Sequence, residues 1–289
     1  MTIPYFDHIY YNDCLDDQNG LPYLASQVEN GILPKIDIGF TDPPFNIDLQ
    51  NNPNGGRKFH QTKKKDQQYY DDNLSPEDYE QWCRTWFGLL RKICRTVIIY
   101  CGNDNLAMWY RIQEPLDQII YFTPFNTIIT PTAWAGRFRP LLIYSDHYND
   151  FLGRNDTYKL KSNVIVSEET GKKKSKYKHP CPMPYELVHS VLFDLKPKSV
   201  IDPFLGSGTI AEACYRLHVP IMYGFEKNPA WKNDLLKRIA QKDLSAFFRK
   251  NKKLCYRILG SFIDSLTEKC ISPCYTDFFT INNNSDNRN

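Results

Sequence analysis

The chain has 289 residues, of which 42% are hydrophobic and 24% charged, and its formal net charge is +3. This length can bury a continuous core, and the composition excludes collagen, coiled coil and wholesale disorder. No run reaches the ~18 apolar residues of a membrane span, the start lacks a signal segment, and the cysteines form no Cys-x-x-Cys pair. We therefore expect a cytoplasmic protein with reduced thiols, no bound metal and no membrane contact.

Short β-rich runs alternate with longer amphipathic ones, which predicts an α/β fold. A strand is predicted at 36–41, where two prolines end it, and Ser75 and Pro76 then begin a helix as N-cap and first residue. The remaining predicted elements are strands at 96–100, 118–122 and 141–145, a helix at 184–195, a strand at 199–202, a helix at 209–217 and a strand at 221–225.

Polar and basic stretches divide the chain. The alternating pattern extends over residues 1–240 and is interrupted by a basic loop at 46–74 and by a second basic insertion at 137–178. A helical extension is predicted at 241–269, and the tail at 270–289 contains too little apolar surface to fold. The sequence therefore predicts one main domain with two insertions.

A Gly-rich turn follows the predicted strand at 199–202. Residues 202–209 are Asp-Pro-Phe-Leu-Gly-Ser-Gly-Thr, and Glu226 ends the next predicted strand. Glycines let backbone approach a ligand, a helix N-terminus favours an anionic group, and an acid at this position can bind a ribose. A helix-start turn with a solvated Glu226 is the alternative, but the order of strand, turn, helix, strand and acid favours a nucleotide-type ligand.

The tetrapeptide Asp42-Pro43-Pro44-Phe45 ends the first predicted strand. A carboxylate, a rigid turn without donors and an aromatic ring suit the binding of an exocyclic amino group and the stacking of its ring. A strand-ending turn capped by Asp42 is the alternative for the tetrapeptide alone.

Taken together and in this order, the two motifs resemble the β group of amino-methylating DNA methyltransferases, in which the catalytic motif precedes the S-adenosylmethionine motif. Residues 11–15 are similar to the family's early cofactor-contacting turn, 179–184 to its His-Pro-x-x-Lys-Pro segment, and 223–229 to its acidic ribose-binding strand end. The resemblance covers about residues 8–240.

The resemblance implies a Rossmann-like, seven-stranded methyltransferase sheet with one reversed strand, and a catalytic domain over 1–240 with a small target-recognition insertion at 137–178. Asp42 and Asp202 would lie on adjacent strands. The implied cofactor is S-adenosylmethionine. Its implied contacts are Asp13, Cys14, His179, Asp202, Phe204, Gly206, Ser207, Gly208, Thr209, Glu226 and Lys227.

Two segments depart from the family pattern. Met183 stands where the family usually has Lys, so a contact to the methionine carboxylate is either absent or comes from another group. Residues 129–131 and 139–141 stand where the family has its aromatic-Lys and His-Glu signatures. The second departure concerns recognition of the target more than the chemistry.

The implied activity is methyl transfer to N6 of a flipped adenine in double-stranded DNA. Asp42 and Pro43 would accept the amino hydrogens, Pro44 would keep the turn rigid, and Phe45 would stack on the base. The family tends to have Asp in the first position for adenine and Ser for cytosine, so Asp42 favours adenine. Phe45 is less decisive, because Tyr or Trp is commoner in the adenine enzymes.

Transfer to N4 of cytosine therefore stays open, as does an RNA adenine. An inactive nucleic-acid-binding subunit is disfavoured, because such subunits typically lose one of the two motifs. A restriction–modification context would add a cognate restriction endonuclease as partner, and the oligomeric state stays open, a dimer included. Lysine clusters are by default solvated loops, but their position in the insertions predicts DNA-backbone contacts. These residues are Arg57, Lys58, Lys63, Lys64, Lys65, Lys172, Lys173 and Lys174.

Overall fold

The computed structural model of the protein describes residues 8–47, 73–124, 136–146, 162–167, 179 and 182–239. The chain divides into two units, Met1–Ile239 and Ala240–Asn289. The predicted helical extension and tail lie outside the described residues, as do the basic clusters at 57–65 and 172–174. The description therefore concerns the first unit.

A single mixed sheet organises the described residues. Its strands are β1 (Ile9–Tyr10), β2 (Ile36–Thr41), β3 (Cys94–Tyr100), β4 (Asp117–Phe122), β5 (Phe138–Ser145), β6 (Val164–Val166), β7 (Ser199–Asp202) and β8 (Ile221–Phe225). Across the sheet they lie in the order β1-β8-β7-β2-β3-β5-β4-β6. β5 is antiparallel to β3 and β4, and the other described pairings are parallel. The predicted single reversed strand is therefore confirmed.

The described strands number eight rather than the seven expected. The three-residue strand β6 pairs with β4 at the sheet edge, inside the insertion predicted at 137–178. β5 also falls in that range, and its residues Leu141–Tyr144 are fully buried between β3 and β4. The first part of the insertion expected at 137–178 therefore belongs to the sheet, because the buried apolar residues of β5 pair with β3 and β4.

Helices cover both faces of the sheet. They are α1 (Leu21–Glu29), α2 (Pro76–Ile93), α3 (Leu106–Ile112), α4 (Tyr185–Leu195), α5 (Thr209–Arg216) and α6, helical over the described residues 232–239. α2 begins as predicted, because the Ser75 hydroxyl accepts a hydrogen bond from the Asp78 amide at 3.1 Å and Pro76 follows. In the part of the chain that the structure describes, no helix is long and apolar enough to span a bilayer.

Two clusters of buried side chains lie on opposite faces of the sheet. Successive strand residues point to opposite faces, so Val97 and Ile99 pack with α1, α2 and α3, whereas Ile98 and Tyr100 pack with α4, α5 and α6. Met183, which replaces the family's usual lysine, is buried in the second cluster. Its side chain therefore belongs to the core of the domain.

Candidate active site

The two sequence motifs meet at the edge of the sheet where the parallel strands end. β2 and β7 are parallel neighbours, with Gly39 opposite Ile201. Asp42 directly follows β2, and Asp202 ends β7. The Thr41 hydroxyl at the end of β2 donates a hydrogen bond to Asp202 Oδ1 at 2.9 Å. The prediction that Asp42 and Asp202 lie on adjacent strands is confirmed, and this edge is where open α/β sheets bind ligands.

Asp202 is a buried carboxyl group at the start of the Gly-rich turn (residues 203–208). Its Oδ1 atom also accepts a hydrogen bond from the Phe204 amide at 3.0 Å. Burial raises the pKa of Asp202 to about 7, the hydrogen bonds from Phe204 and Thr41 oppose this rise, and the Glu226 carboxylate adds to it. Asp202 therefore titrates close to neutral pH.

The two glycines of the Gly-rich turn are required by the backbone and by internal packing. Gly206 has φ 52° and Gly208 has φ 81°, in the left-handed region that disfavours side chains. A Cβ at Gly208 would lie 2.3 Å from Leu235 Cδ1, and one at Gly206 would lie 3.1 Å from His179 Nε2. The sequence predicted close approach to a ligand here, and the structure adds the packing of α6 and His179.

Glu226 links the end of β8 to the Gly-rich turn. Its Oε2 accepts a hydrogen bond from the Gly206 amide and its Oε1 one from the Asn228 amide, each at 2.7 Å. The Glu226 amide in turn donates to the Tyr10 carbonyl at 3.0 Å. The residue is only 3% exposed. Glu226 therefore holds the turn in place, which its spacing from Asp202 alone did not predict.

His179 lies beside the Gly-rich turn. Its amide donates a hydrogen bond to Asp234 Oδ2 at 2.9 Å, and its ring packs edge-on against Trp231. Burial lowers the pKa of His179 to about 4, with Asp234 opposing and Arg238 adding to the effect, so the imidazole is neutral at pH 7. Its buried Nδ1 has no hydrogen-bond partner within the described part of the chain. His179 is therefore a neutral polar group beside the turn.

A buried ion pair supports the Gly-rich turn from below. The Arg238 guanidinium of α6 donates to Glu212 Oε2 at 2.6 Å and to Ser207 Oγ at 2.9 Å. Arg216 also pairs with Glu212. The sequence did not predict this contact. The sequence feature that could have indicated a buried ion pair is Glu212, a charged residue between Ala211 and Ala213, which are both buried.

The N-terminal turn brings three more predicted cofactor contacts to the end of β8. Lys227 Nζ lies 3.1 Å from Asp13 Oδ2, and the neighbouring Cys14 is buried. Burial raises the pKa of the Cys14 thiol, so it stays protonated at neutral pH. Burial, and next the Glu226 charge, raise the pKa of Tyr11 to about 12. Residues 10–14 therefore meet the end of β8 around Glu226.

Asp42 presents a carboxylate to which no described residue donates a hydrogen bond. The side chain is half-buried between strand ends. Burial raises the pKa of Asp42 to about 8, the Arg139 guanidinium opposes this rise, and Asp202 adds to it. A carboxylate with a pKa near neutrality can both accept a hydrogen bond and take up a proton.

Two side chains hold the backbone of the tetrapeptide in place through hydrogen bonds to its carbonyl groups. The Tyr79 hydroxyl of α2 donates to the Pro44 carbonyl at 2.6 Å, and Asn105 Nδ2 donates to the Phe45 carbonyl at 2.7 Å. No described residue donates to the Pro43 carbonyl. No sequence motif connects Tyr79 to the tetrapeptide. The available signal was its hydroxyl, which needs a partner when buried.

The Phe45 ring lies between strand ends. A Cβ at Gly102, which follows β3, would lie 3.4 Å from Phe45 Cγ, so the ring packs against backbone. The Arg139 guanidinium of β5 lies over the ring, with its Cζ 5.0 Å from the centroid. An aromatic ring and a cation are therefore stacked beside Asp42.

Residues 36–237 match the family described as DNA methylase, and the match includes both the tetrapeptide and the Gly-rich turn. The chain belongs to this DNA methylase family. The recognition of a β-group DNA methyltransferase from its motifs is confirmed.

Individual relatives are distant in sequence. The chain is 22% identical over 227 residues to the type II methyltransferase M.HpaI of Haemophilus parainfluenzae, and the alignment covers 69% of this chain but only 66% of that protein. The fold of this chain is similar to that of M1.HpyAVI, solved in complex with SAM (TM-score 0.52, 17% identity). The match covers 80% of this chain and 98% of that one. The fold is also similar to that of the cytosine-N4-specific PvuII DNA methyltransferase (TM-score 0.53, 15% identity, 80% and 85%). These structures confirm the methyltransferase fold.

Proposed function

We propose that this chain transfers the methyl group of S-adenosylmethionine to the exocyclic N6 of adenine in double-stranded DNA. Family membership supports the reaction class. The observation that carries the proposal is Asp42, a half-buried carboxylate without a described hydrogen-bond donor, next to the Gly-rich turn at the ligand-binding edge of the sheet. Its position at the start of the tetrapeptide, beside the Gly-rich turn, suits a group that binds the target amino group.

The residues around the Gly-rich turn fit S-adenosylmethionine. The sulfonium and ammonium groups of this cofactor are cations, and the carboxyls of Asp42, Asp202 and Glu226 lie at one edge of the sheet. The buried Nδ1 of His179, which has no hydrogen-bond partner among the described residues, adds a polar atom beside the turn. S-adenosylmethionine supplies a methyl group on an electrophilic sulfonium. The proposed binding residues are Asp13, Cys14, His179, Asp202, Phe204, Gly206, Ser207, Gly208, Thr209, Glu226 and Lys227.

Phe204 contributes through its backbone in this proposal. Its ring packs against Trp82 and Trp86 of α2, with centroid distances of 5.3 and 5.1 Å. The ring therefore anchors the Gly-rich turn to α2, while its amide fixes the Asp202 carboxyl group.

The chain's own acceptors activate the target nitrogen. An aromatic amino group is a poor nucleophile because its lone pair is delocalised into the ring. The Asp42 carboxylate accepts one amino hydrogen and the Pro43 carbonyl accepts the other, which pyramidalises the nitrogen and directs its lone pair. Asp42 then takes up the released proton, for which a pKa near neutrality is suited. Tyr79 and Asn105 keep the peptide in the required orientation.

The target base must leave the duplex to reach Asp42. Flipping costs a few kcal/mol, which backbone contacts offset. Phe45 offers its ring for stacking beside Asp42, and the Arg139 guanidinium lies over that ring. Basic residues in the two insertions would bind the phosphates without reading the sequence.

Analysis of the modified nucleoside tests this proposal directly. The protein is incubated with labelled S-adenosylmethionine and unmethylated genomic DNA, and the DNA is then digested to nucleosides. We expect label in N6-methyladenine. Label in N4-methylcytosine would show that the second candidate is right, because the same two acceptors can bind the N4 amino group. A parallel incubation with RNA separates the two nucleic acids, and absence of label in both would contradict the proposal.

Glu226→Ala is expected to weaken S-adenosylmethionine binding about tenfold or more, because a hydrogen bond between a charged group and the ribose contributes roughly 1.5–3 kcal/mol. The buried carboxylate also accepts from Gly206 and Asn228, so the variant should unfold at a lower urea concentration. Titration calorimetry measures the affinity, with the exposed Glu186→Ala as control. Unchanged affinity in the Glu226 variant would show that the ribose binds elsewhere.

Replacing Lys63, Lys64 and Lys65 by Gln is expected to weaken DNA binding and to reduce its salt dependence by up to roughly one unit of log–log slope per lost phosphate contact. The same holds for Lys172, Lys173 and Lys174. The control replaces three exposed lysines at the end of the sheet where the parallel strands begin, away from the candidate site: Lys35, Lys92 and Lys198. DNA titrations across salt concentrations decide the matter, since slopes equal to the control would show that both clusters are solvated loops.

A further inference from the structure

Arg139 is a half-buried cation whose donors have no acceptor among the described residues. It lies in β5, which runs antiparallel to β3, so its position near the start of β5 brings it to the edge where β3 ends. Its guanidinium lies over the Phe45 ring, 5.0 Å from the centroid. Cation–π contact and the packing of Phe45 therefore hold the charge in one place.

The titratable groups that interact electrostatically with Asp42 come from four elements. They are Tyr79 of α2, Tyr100 and Cys101 at the end of β3, Arg139 of β5 and Asp202 of β7. Burial raises the pKa of both tyrosines, and it raises the pKa of Cys101 to about 12, so these three groups are neutral at pH 7. Asp202 can add only negative charge. Among these groups, Arg139 is therefore the cation.

We infer that Arg139 is a positioning residue that favours the ionised form of Asp42, with Phe45 as the ring that holds the guanidinium in place. The inference rests on the proposed function, in which the Asp42 carboxylate accepts an amino hydrogen. It also assigns a role to a position where the family's usual signature is absent.

The chemistry of Asp42 requires such a charge. Burial and the neighbouring Asp202 both favour the protonated acid, which carries a hydrogen on one oxygen and loses part of its capacity as an acceptor. A nearby cation favours the carboxylate instead. Arginine suits this position because its guanidinium stays protonated even when partly buried and because its plane stacks on an aromatic ring.

The pKa of Asp42 can be measured without methyl transfer. In protein labelled with ¹³C at the aspartate carboxyl carbons, we expect a resonance that titrates near pH 8 and is absent from Asp42→Asn. Arg139→Gln should move this titration upward by about one pH unit, since an opposite charge at this range shifts a partly screened carboxyl by this order. Arg139→Lys retains the charge and should keep the wild-type titration.

The matched control is Arg95→Gln, which removes the same charge at the opposite edge of the sheet, where Arg95 pairs with Asp37 at 3.8 Å. An Asp42 titration in Arg139→Gln that equals the wild type, or an equal shift in Arg95→Gln, would overturn the inference. So would an Arg139→Lys variant that titrates like Arg139→Gln.

The pH dependence of kcat/KM for DNA then tests the catalytic consequence, because it reports ionisations of the free enzyme. The acidic limb of the profile should move upward in Arg139→Gln in parallel with the carboxyl titration and stay in place in Arg139→Lys. A shifted titration with an unshifted limb would overturn the positioning role. If the wild type transfers no methyl group while the titration still shifts in Arg139→Gln alone, the proposed function fails and the Arg139–Asp42 pairing stands.

Discussion

Asp42→Ala is expected to lower the rate of methyl transfer by at least ~10²–10³-fold, the scale of losing one positioned acid–base or electrostatic group. The substitution removes the acceptor for the amino hydrogen, but it leaves the Gly-rich turn, Phe45 and the hydrogen bonds from Tyr79 and Asn105 in place. Cofactor and DNA affinity should therefore largely survive. Asp42→Asn keeps an acceptor oxygen but loses the charge, so it should also be severely impaired.

Single-turnover kinetics at saturating cofactor and DNA separate the chemical step from binding. The control is Asp104→Ala, which removes the same charge from an exposed position after β3. Near wild-type transfer by Asp42→Ala would show that Asp42 only ends a strand, and the amino-methyltransferase mechanism would have to be abandoned. Loss of transfer in both variants would mean that the effect is not specific to Asp42.

The pKa of Asp42 also predicts how stability changes in this variant. Folding raises this pKa from its ordinary value of 3.8 to about 8, so the folded protein binds the proton more tightly than the unfolded chain. Ionisation of Asp42 therefore opposes folding increasingly as the pH rises from about 4 to about 8. We expect Asp42→Ala to unfold at the same or a higher urea concentration than the wild type at pH 8. A clear loss of stability would contradict this sign.

Strands bounded by strong sequence signals could be predicted almost to the residue. The two prolines after Thr41 and the Gly-rich turn after Asp202 end β2 and β7 where the sequence predicted. β1 and β6 contain only two and three residues, and runs this short show no periodicity. They exist because their backbones pair with β8 and β4, which depends on the fold and not on local sequence.

The candidate site could be predicted only where its residues are near one another in the chain. The tetrapeptide and the Gly-rich turn are contiguous motifs, and the parallel topology alone brings their ends together. Tyr79, Asn105 and Arg139 reach the tetrapeptide from three other elements, and no sequence spacing connects them to Asp42. Their contribution is therefore visible only once α2, β5 and the turn before α3 are placed.

The second large prediction concerns the buried ion pair between Glu212 and Arg238, beside the Gly-rich turn. Glu212→Ala is expected to lower the free energy of unfolding by about 3–5 kcal/mol, because it leaves a charge buried without its partner. The Glu212 and Arg238 side chains are only 5% and 3% exposed. Arg238 also donates to Ser207 of the turn, so the damage should extend to the cofactor site. Urea unfolding followed by tryptophan fluorescence measures the stability change.

A double variant separates the cost of an unpaired charge from the value of the pair. Glu212→Leu combined with Arg238→Met removes both charges and retains apolar volume, and such replacements are often close to neutral in stability. We therefore expect the double variant to be more stable than Glu212→Ala, although Arg216 also loses a partner. Glu29→Ala, which breaks the exposed pair with Lys92, should change stability by less than about 1 kcal/mol. If Glu212→Ala is no more destabilising than Glu29→Ala, the pair does not support the turn, and the buried guanidinium must be stabilised by Ser207 and the surrounding backbone instead.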